Sequence, residues 1–268
     1  MREDWAESAA SVAPTVSGAL SQKSFDRFAQ FITGELGIKM PDSKMSMVQS
    51  RLMRRARELQ LGSIDEYGEY LFTSTNGEER EYFINAITTN KTDFFREPEH
   101  FDFLVRTALP NLRAGVDPRM SRLNVWSAAC SSGQEPYTLG MILSEYALNS
   151  HGLNYAILAT DISTKVLEHA KKAMYEEAEV APVPASLRKK YLLSSRDRSS
   201  SLVRVSPALR AKVTFRRLNF MNDTYRVQDS FGETYLARHD RNDREGRSCG
   251  GVDWRDRGPL SVPDGASA

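Results

Sequence analysis

Apolar residues in the N-terminal part of the chain fall at three- and four-residue steps, a spacing that predicts helices. Phe25, Phe28, Ile32 and Leu36 mark the first helix, with Ser24 as its N-cap and Gly37 as its stop. Met45, Val48, Leu52, Ala56 and Leu59 form the apolar stripe of a second helix over Lys44–Leu59, and two shorter helices follow near Ile64–Phe72 and Glu78–Ile87. Past Pro118 the pattern changes to strand, loop, helix. Leu123–Ser127 and Tyr155–Thr160 read as short apolar strands, Pro136–Ala147 as a helix, and Ser163–Met174 as a helix capped by Ser163. Strands alternating with helices at this interval predict an α/β domain with a doubly wound parallel sheet, and a site at the carboxyl ends of its strands. The rhythm breaks between Tyr175 and Phe215, where Pro182 and Pro184, a basic helix over Leu187–Tyr191, a Ser- and Arg-rich turn and the alternating run Leu202–Val205 predict a hairpin-like insertion. Val213–Leu218 returns to the main sheet.

Composition narrows the function classes without choosing one. A chain of 268 residues that is 40% hydrophobic and 26% charged reads as an ordinary soluble protein with room for one large or two modest domains. The net charge of +1 gives no global attraction to nucleic acid or to an anionic membrane, so electrostatic recognition must be local. Two cysteines far apart, Cys130 and Cys249, argue against a disulfide framework, and four scattered histidines offer no metal-binding spacing. No apolar run approaches the roughly 20 residues that span a bilayer, and the N-terminus lacks the order of a secretory signal. A monomer in a reducing cytoplasm, not inserted in a membrane and holding no metal, is expected. Residues 1–21, rich in Ala, Ser, Val and Pro, read as a flexible leader.

Two segments carry the candidate chemistry. In Trp126-Ser127-Ala128-Ala129-Cys130-Ser131-Ser132-Gly133-Gln134-Glu135-Pro136-Tyr137, an apolar strand runs into a small-residue loop and then a helix, the way an α/β domain builds a cofactor site. Glu135 sits in the first turn of that helix, where it either meets a ligand ammonium or serves only the helix dipole. Asp161 ends the next strand, where an acidic residue accepts two ribose hydroxyls or merely caps a helix; Ser163 is the better cap. The segment Thr88-Thr89-Asn90-Lys91-Thr92-Asp93-Phe94-Phe95-Arg96 gathers amide, hydroxyl and guanidinium donors, with Phe94 and Phe95 as a wall against water. Arg96 serves the site or pairs on the surface with Glu97 or Glu99. Lys44, Arg51, Arg54 and Arg55 are expected on one face of the second helix, opposite its apolar stripe, with Arg57 alongside, either a solvated face or a docking surface. That patch lacks the aromatic residues that stack nucleic acid bases.

These two segments, read with Ala159-Thr160-Asp161-Ile162-Ser163 and Arg217-Leu218-Asn219-Phe220, resemble the CheR-type chemotaxis-receptor methyltransferases from about Phe25 to about Phe231. The resemblance implies a helical receptor-facing domain over residues 22–88 and a Rossmann-like methyltransferase domain over 89–231, with a small antiparallel β insertion near 176–212. It implies transfer of a methyl group from S-adenosyl-L-methionine to glutamate side chains of methyl-accepting chemotaxis receptors, leaving S-adenosyl-L-homocysteine. Asn90, Thr92, Arg96, Glu135, Asp161, Asn219 and Phe220 match cofactor-contacting positions, with the last two flanking the adenine and Arg96 nearest to a catalytic role. Arg51, Arg54 and Arg55 match the surface that meets the receptor's helical bundle, and no nucleic acid partner is implied. The likeness stops near Phe231. Residues 232–268 are dense in Arg, Asp and Gly, and the reading there is a disordered tail left by truncation or frameshift and an incomplete sheet. The alternative is an impaired homologue that acts only as a binding module.

Overall fold

A computed structural model of the chain describes residues 19–74, 77–114, 122–149, 153–197, 199–222, 224–228 and 234–238. Helix α1 spans Gln22–Leu36. Ser21 is its N-cap, accepting the Ser24 N–H on Oγ, so the cap lies three residues before the expected Ser24. Leu20 is buried and its N–H donates to Gln49 Oε1, so the helical domain begins inside the stretch read as a leader; residues 1–18 lie outside the described residues. Gly37 ends α1 at φ 69, a left-handed turn that suits glycine.

Helices α2 (Met45–Glu58), α3 (Ile64–Thr73) and α4 (Gly77–Ile87) complete the domain, and Phe28, Ile32, Leu52, Tyr67 and Phe83 form its core. Each fully buried side chain of this size contributes about 1.5–3 kcal/mol. Burying Glu79 on α4 needs compensation. Arg55 donates to both of its carboxylate oxygens, Nη2 to Oε2 at 2.7 Å, and the Tyr67 hydroxyl donates to Oε1 at 2.8 Å. The Glu79 pair, despite some desolvation, raises the Arg55 pKa further above its ordinary value. Burial and then the Glu79 hydrogen bond raise the Tyr67 phenol.

A segment absent from the sequence reading follows, made of α5 (Pro98–Phe103), a π-helical turn over Leu104–Ala108 and α6 (Leu109–Ala114). The α/β domain then runs β1 (Leu123–Ala128), α7 (Gln134–Asn149), β2 (Tyr155–Asp161) and α8 (Thr164–Lys172). The insertion is β3 (Met174–Glu176), α9 (Ala185–Tyr191), β4 (Leu192–Ser194) and β5 (Leu202–Val205). After α10 (Pro207–Arg210), β6 (Val213–Arg217) rejoins the main sheet.

Strands β1, β2 and β6 form a parallel sheet in that order, with Val125 opposite Ile157 and Ile157 opposite Val213. All seven residues of β2 are buried, which explains its apolar run: a central parallel strand has no solvent face. The insertion is an antiparallel sheet in the order β3-β5-β4.

Strands β7 (Thr224–Gln228) and β8 (Thr234–Arg238) pair antiparallel. The expectation of an unstructured tail from residue 232 thus fails at β8. Its Thr-Tyr-Leu sequence favours an extended backbone, and β7 supplies the pairing that a single strand lacks. Residues 239–268, including Cys249, lie outside the described residues, as does any origin of that tail. Among the described residues β1 has a strand neighbour on one side only.

Candidate active site

The tips of β1, β2 and β6 converge because parallel strands in register end together. The Leu218 N–H donates to Asp161 O, and the Cys130 N–H donates to Thr160 O, so the loops after β1 and β6 are both pinned to β2. Ala129 (φ 57) and Ser131 (φ 49) turn the first of these loops through the left-handed region, as do Phe95 (φ 55) and Glu97 (φ 57) in the linker facing it. Gly133, at φ 98, is the one position there that only glycine fills: a Cβ would stand 2.8 Å from the Tyr175 hydroxyl and 2.9 Å from Ala170 Cβ. That closeness lets α7 start against α8 and explains why a single glycine suffices.

A cavity of about 840 Å³ opens at this point. Asn90, Thr92, Arg96, Glu135, Asp161, Asn219 and Phe220 all line it. Asp161 is 6% exposed; the Ser131 N–H donates to its Oδ2 at 2.8 Å and the Ser163 N–H to its Oδ1 at 2.9 Å. A carboxylate offers about four acceptor positions, so two remain for a ligand after these contacts. Ser163 caps α8 as expected, its Oγ accepting the Val166 N–H, which leaves Asp161 without that duty. Glu135 stands in the first turn of α7, and the buried Ser127 hydroxyl donates to its Oε1 at 2.7 Å. The Asn90 carbonyl accepts the Ser131 hydroxyl at 3.0 Å, tying the linker to the loop after β1. Arg96 Nη1 donates to Lys91 O at 3.1 Å, closing the linker into a turn; Glu97 instead faces His100.

Several expectations need correction. Phe94 belongs to the domain core, edge-on to Tyr175 at 5.0 Å, and neither Phe94 nor Phe95 lines the cavity. Its aromatic lining is Phe101, Phe103 and Phe220, the last set edge-on to Trp126 at 5.8 Å. The Asn219 amide is held by the protein: Nδ2 donates to Glu35 O at 2.8 Å, and Oδ1 accepts the Met221 N–H. Leu36 and Ile38 bring the helical domain into the lining, and nothing in their sequence separates them from an ordinary helix end.

The arginines of α2 diverge. Arg51 and Arg55 stand three and seven residues after the buried Val48, so they flank the apolar stripe and do not oppose it. Arg51 donates to the carbonyls of Ile87 and Thr88 and to Thr89 Oγ1, capping α4, while Arg55 holds Glu79. Arg54, with 83% of its side chain exposed and paired to Glu58, faces outward. Burial, with the nearby Asp161 and Glu135 charges, pushes the Cys130 thiol above its ordinary pKa and disfavours the thiolate.

Comparison with known proteins decides the family. Residues 23–88 match the CheR methyltransferase, all-alpha domain, and residues 90–233, more than half of the chain, match the CheR methyltransferase, SAM binding domain. The chain belongs to the CheR methyltransferase family. It is 34% identical to a chemotaxis protein methyltransferase of Borreliella burgdorferi over 79% of this chain and 75% of that one. A Salmonella typhimurium chemotaxis protein methyltransferase is 36% identical over 80% of this chain and 71% of its own length. Chemotaxis protein methyltransferase 2 of Pseudomonas aeruginosa is 38% identical over 71% and 65%. This CheR-family chain therefore carries an S-adenosylmethionine-dependent methyltransferase domain of bacterial chemotaxis. Its side chains suit that cofactor: open carboxylate positions on Asp161 for a ribose diol, a second carboxylate at Glu135 for an ammonium, and an aromatic face at Phe220 for a base. No helix among the described residues is long and apolar enough to cross a membrane.

Proposed function

We propose that the protein methylates glutamate side chains on the helical bundle of methyl-accepting chemotaxis receptors, working as a cytoplasmic monomer without a metal. S-adenosylmethionine, when bound, supplies an electrophilic methyl group on a sulfonium. A glutamate is already ionised at neutral pH, so the protein has no proton to remove and its task is positioning. Asp161 accepts the ribose hydroxyls, Glu135 and Asn90 hold the amino acid end, and Thr92 and Phe220 complete the adenosyl cradle, with Asn219 fixing the Phe220 loop through its own bonds to Glu35 and Met221. Arg96, at the mouth between linker and loop, orients the incoming carboxylate as the catalytic residue. A step in which opposite charges cancel is favoured where the receptor, once docked over the cavity, displaces water. Receptor contact falls to the exposed face of α2, with Arg54 as its charged anchor; Arg51 and Arg55 act from behind by holding α4 and the linker.

The observation that carries this reading is the convergence of Glu135, Asp161 and Arg96 on one cavity at the strand tips. Incubating the full chain with radiolabelled S-adenosylmethionine and receptor-containing membranes tests it. The label should enter the receptor and leave as volatile methanol in mild alkali, as a carboxyl methyl ester does. Label that resists alkali, or appears on nucleic acid instead, defeats the proposal.

A further inference from the structure

Among the described residues the helical domain touches the α/β domain at two seams, and both lead to residues of the cavity. At the first, Asn85 of α4 meets the start of α8. Its Oδ1 accepts the Ser163 hydroxyl at 2.7 Å and the Lys165 N–H at 3.4 Å, and its Nδ2 donates to Thr164 Oγ1 at 3.1 Å. The Thr164 hydroxyl donates in turn to Glu81 Oε1, and Glu81 also faces Arg217 at 3.5 Å. Ser163 is fully buried, and its backbone N–H is one of the two donors that orient Asp161. At the second seam, Asn219 Nδ2 donates to Glu35 O at the end of α1. Met221 packs so near Gly37 that a Cβ there would lie 2.6 Å from its Sδ.

No residue of α4 lines the cavity, yet its Asn85 is one hydrogen bond from Ser163 and two from Asp161. The Ser163 hydroxyl has its acceptor only while the helical domain is seated, since the acceptor is Asn85. Loss of that partner leaves a buried donor unmet and frees the backbone whose N–H aims the Asp161 carboxylate.

We propose that Asn85 is a positioning residue for the nucleoside site, through which the seating of the helical domain and occupancy of the cavity stabilise one another. The coupling is reciprocal: a ligand on Asp161 tightens α4, and a well-seated α4 tightens the ligand. This rests on the assignment of Asp161 to the cofactor given above.

Two measurements on the full chain test the proposal, with S-adenosylhomocysteine as the ligand. By calorimetry, Asn85→Ala should bind it ~3- to 10-fold more weakly than the wild type, the change expected for one lost hydrogen bond. By hydrogen exchange, the ligand should slow exchange in α4 of the wild type severalfold and leave α4 of Asn85→Ala unchanged, a difference that general loss of stability does not produce. Should Asn85→Ala fail to fold, Asn85→Leu, which keeps the side-chain volume while cutting the links to Ser163 and Thr164, is expected to show the same pair of effects. Unaltered affinity in the variant, or exchange in wild-type α4 that ignores the ligand, overturns the proposal. Failure of the wild type to bind, or undiminished binding by Asp161→Ala, overturns the cofactor site itself and this coupling with it, and so is told apart from failure of the coupling alone.

Discussion

The strand-tip cavity and helix α2 both gather charged side chains, and they use them in opposite ways. In the cavity Asp161 is oriented by backbone donors that leave part of its acceptor capacity open, and Glu135 is held by a single hydroxyl. On α2, Arg51 and Arg55 are closed on the protein's own carbonyls and carboxylate. The difference teaches that a charged group serves a ligand when its supporting contacts fix its direction without saturating it. Arg55 is held so fully that it has become part of the fold.

The sharpest way to break this contrast is Arg55→Ala. It leaves Glu79 buried without its counter-charge, and denaturant unfolding should show a loss of about 3–5 kcal/mol. A loss under 1 kcal/mol would mean that Arg55 is as free as Arg54 and that the contrast is false. Next comes Asp161→Ala, expected to weaken S-adenosylhomocysteine binding roughly ten- to hundredfold in calorimetry, since hydrogen bonds to a charged acceptor are among the stronger ones. Ser127→Ala should weaken it less, about three- to tenfold, because Glu135 stays in place and loses only its aim.

A smaller effect is expected where α7 meets the insertion. Burial by itself would raise the Glu145 carboxyl, but hydrogen bonds from Lys190 and Tyr191 outweigh it and hold the pKa below the ordinary value. The folded pKa is the depressed one, so this support is present above the unfolded value and is lost as pH falls through the folded value. Thermal melts should show Glu145→Gln melting slightly below the wild type at neutral pH, with the gap closing as pH falls, so that the variant loses part of the wild-type acid slope. Arg54→Ala completes the series: no measurable change in melting temperature, but slower association with receptor membranes at low salt. Full association rates in this variant would remove α2 from the docking surface.

How much of this was legible in sequence follows from geometry. The boundaries of β1, β2 and β6 lay within a residue or two of the expected ones; β2, buried along its whole length, is written as an apolar run, and β1 and β6 follow from the strand-loop-helix spacing around it. Of the cavity residues, Asn90, Thr92 and Arg96 lie on the linker after α4 and were legible only through the family resemblance, whereas Asp161, Asn219 and Glu135 follow from strand tips that converge in register. A helix has no such rule: it spreads its side chains around an axis, and a one-residue change of position separates a flanking arginine from an outward one. That is why Arg54 and Arg55, adjacent in the chain, met different fates. The contribution of Leu36 and Ile38, and of Asn85, was illegible because each depends on how two domains meet, and no local period encodes that. The segment from α5 to α6 was missed for a different reason: Pro110 falls within it and its π-helical turn shifts the spacing.

The left-handed turns at Ala129, Ser131, Phe95 and Glu97 bear on how this protein could be improved. Conformations of this kind in residues other than glycine are held at a penalty of order 1–3 kcal/mol each. A campaign that selects only for heat resistance would therefore be drawn first to Ala129→Gly or Ser131→Gly, which relieve that penalty. The relaxed loops would then sample several shapes, and the enzyme so hardened would meet its nucleoside with a looser grip.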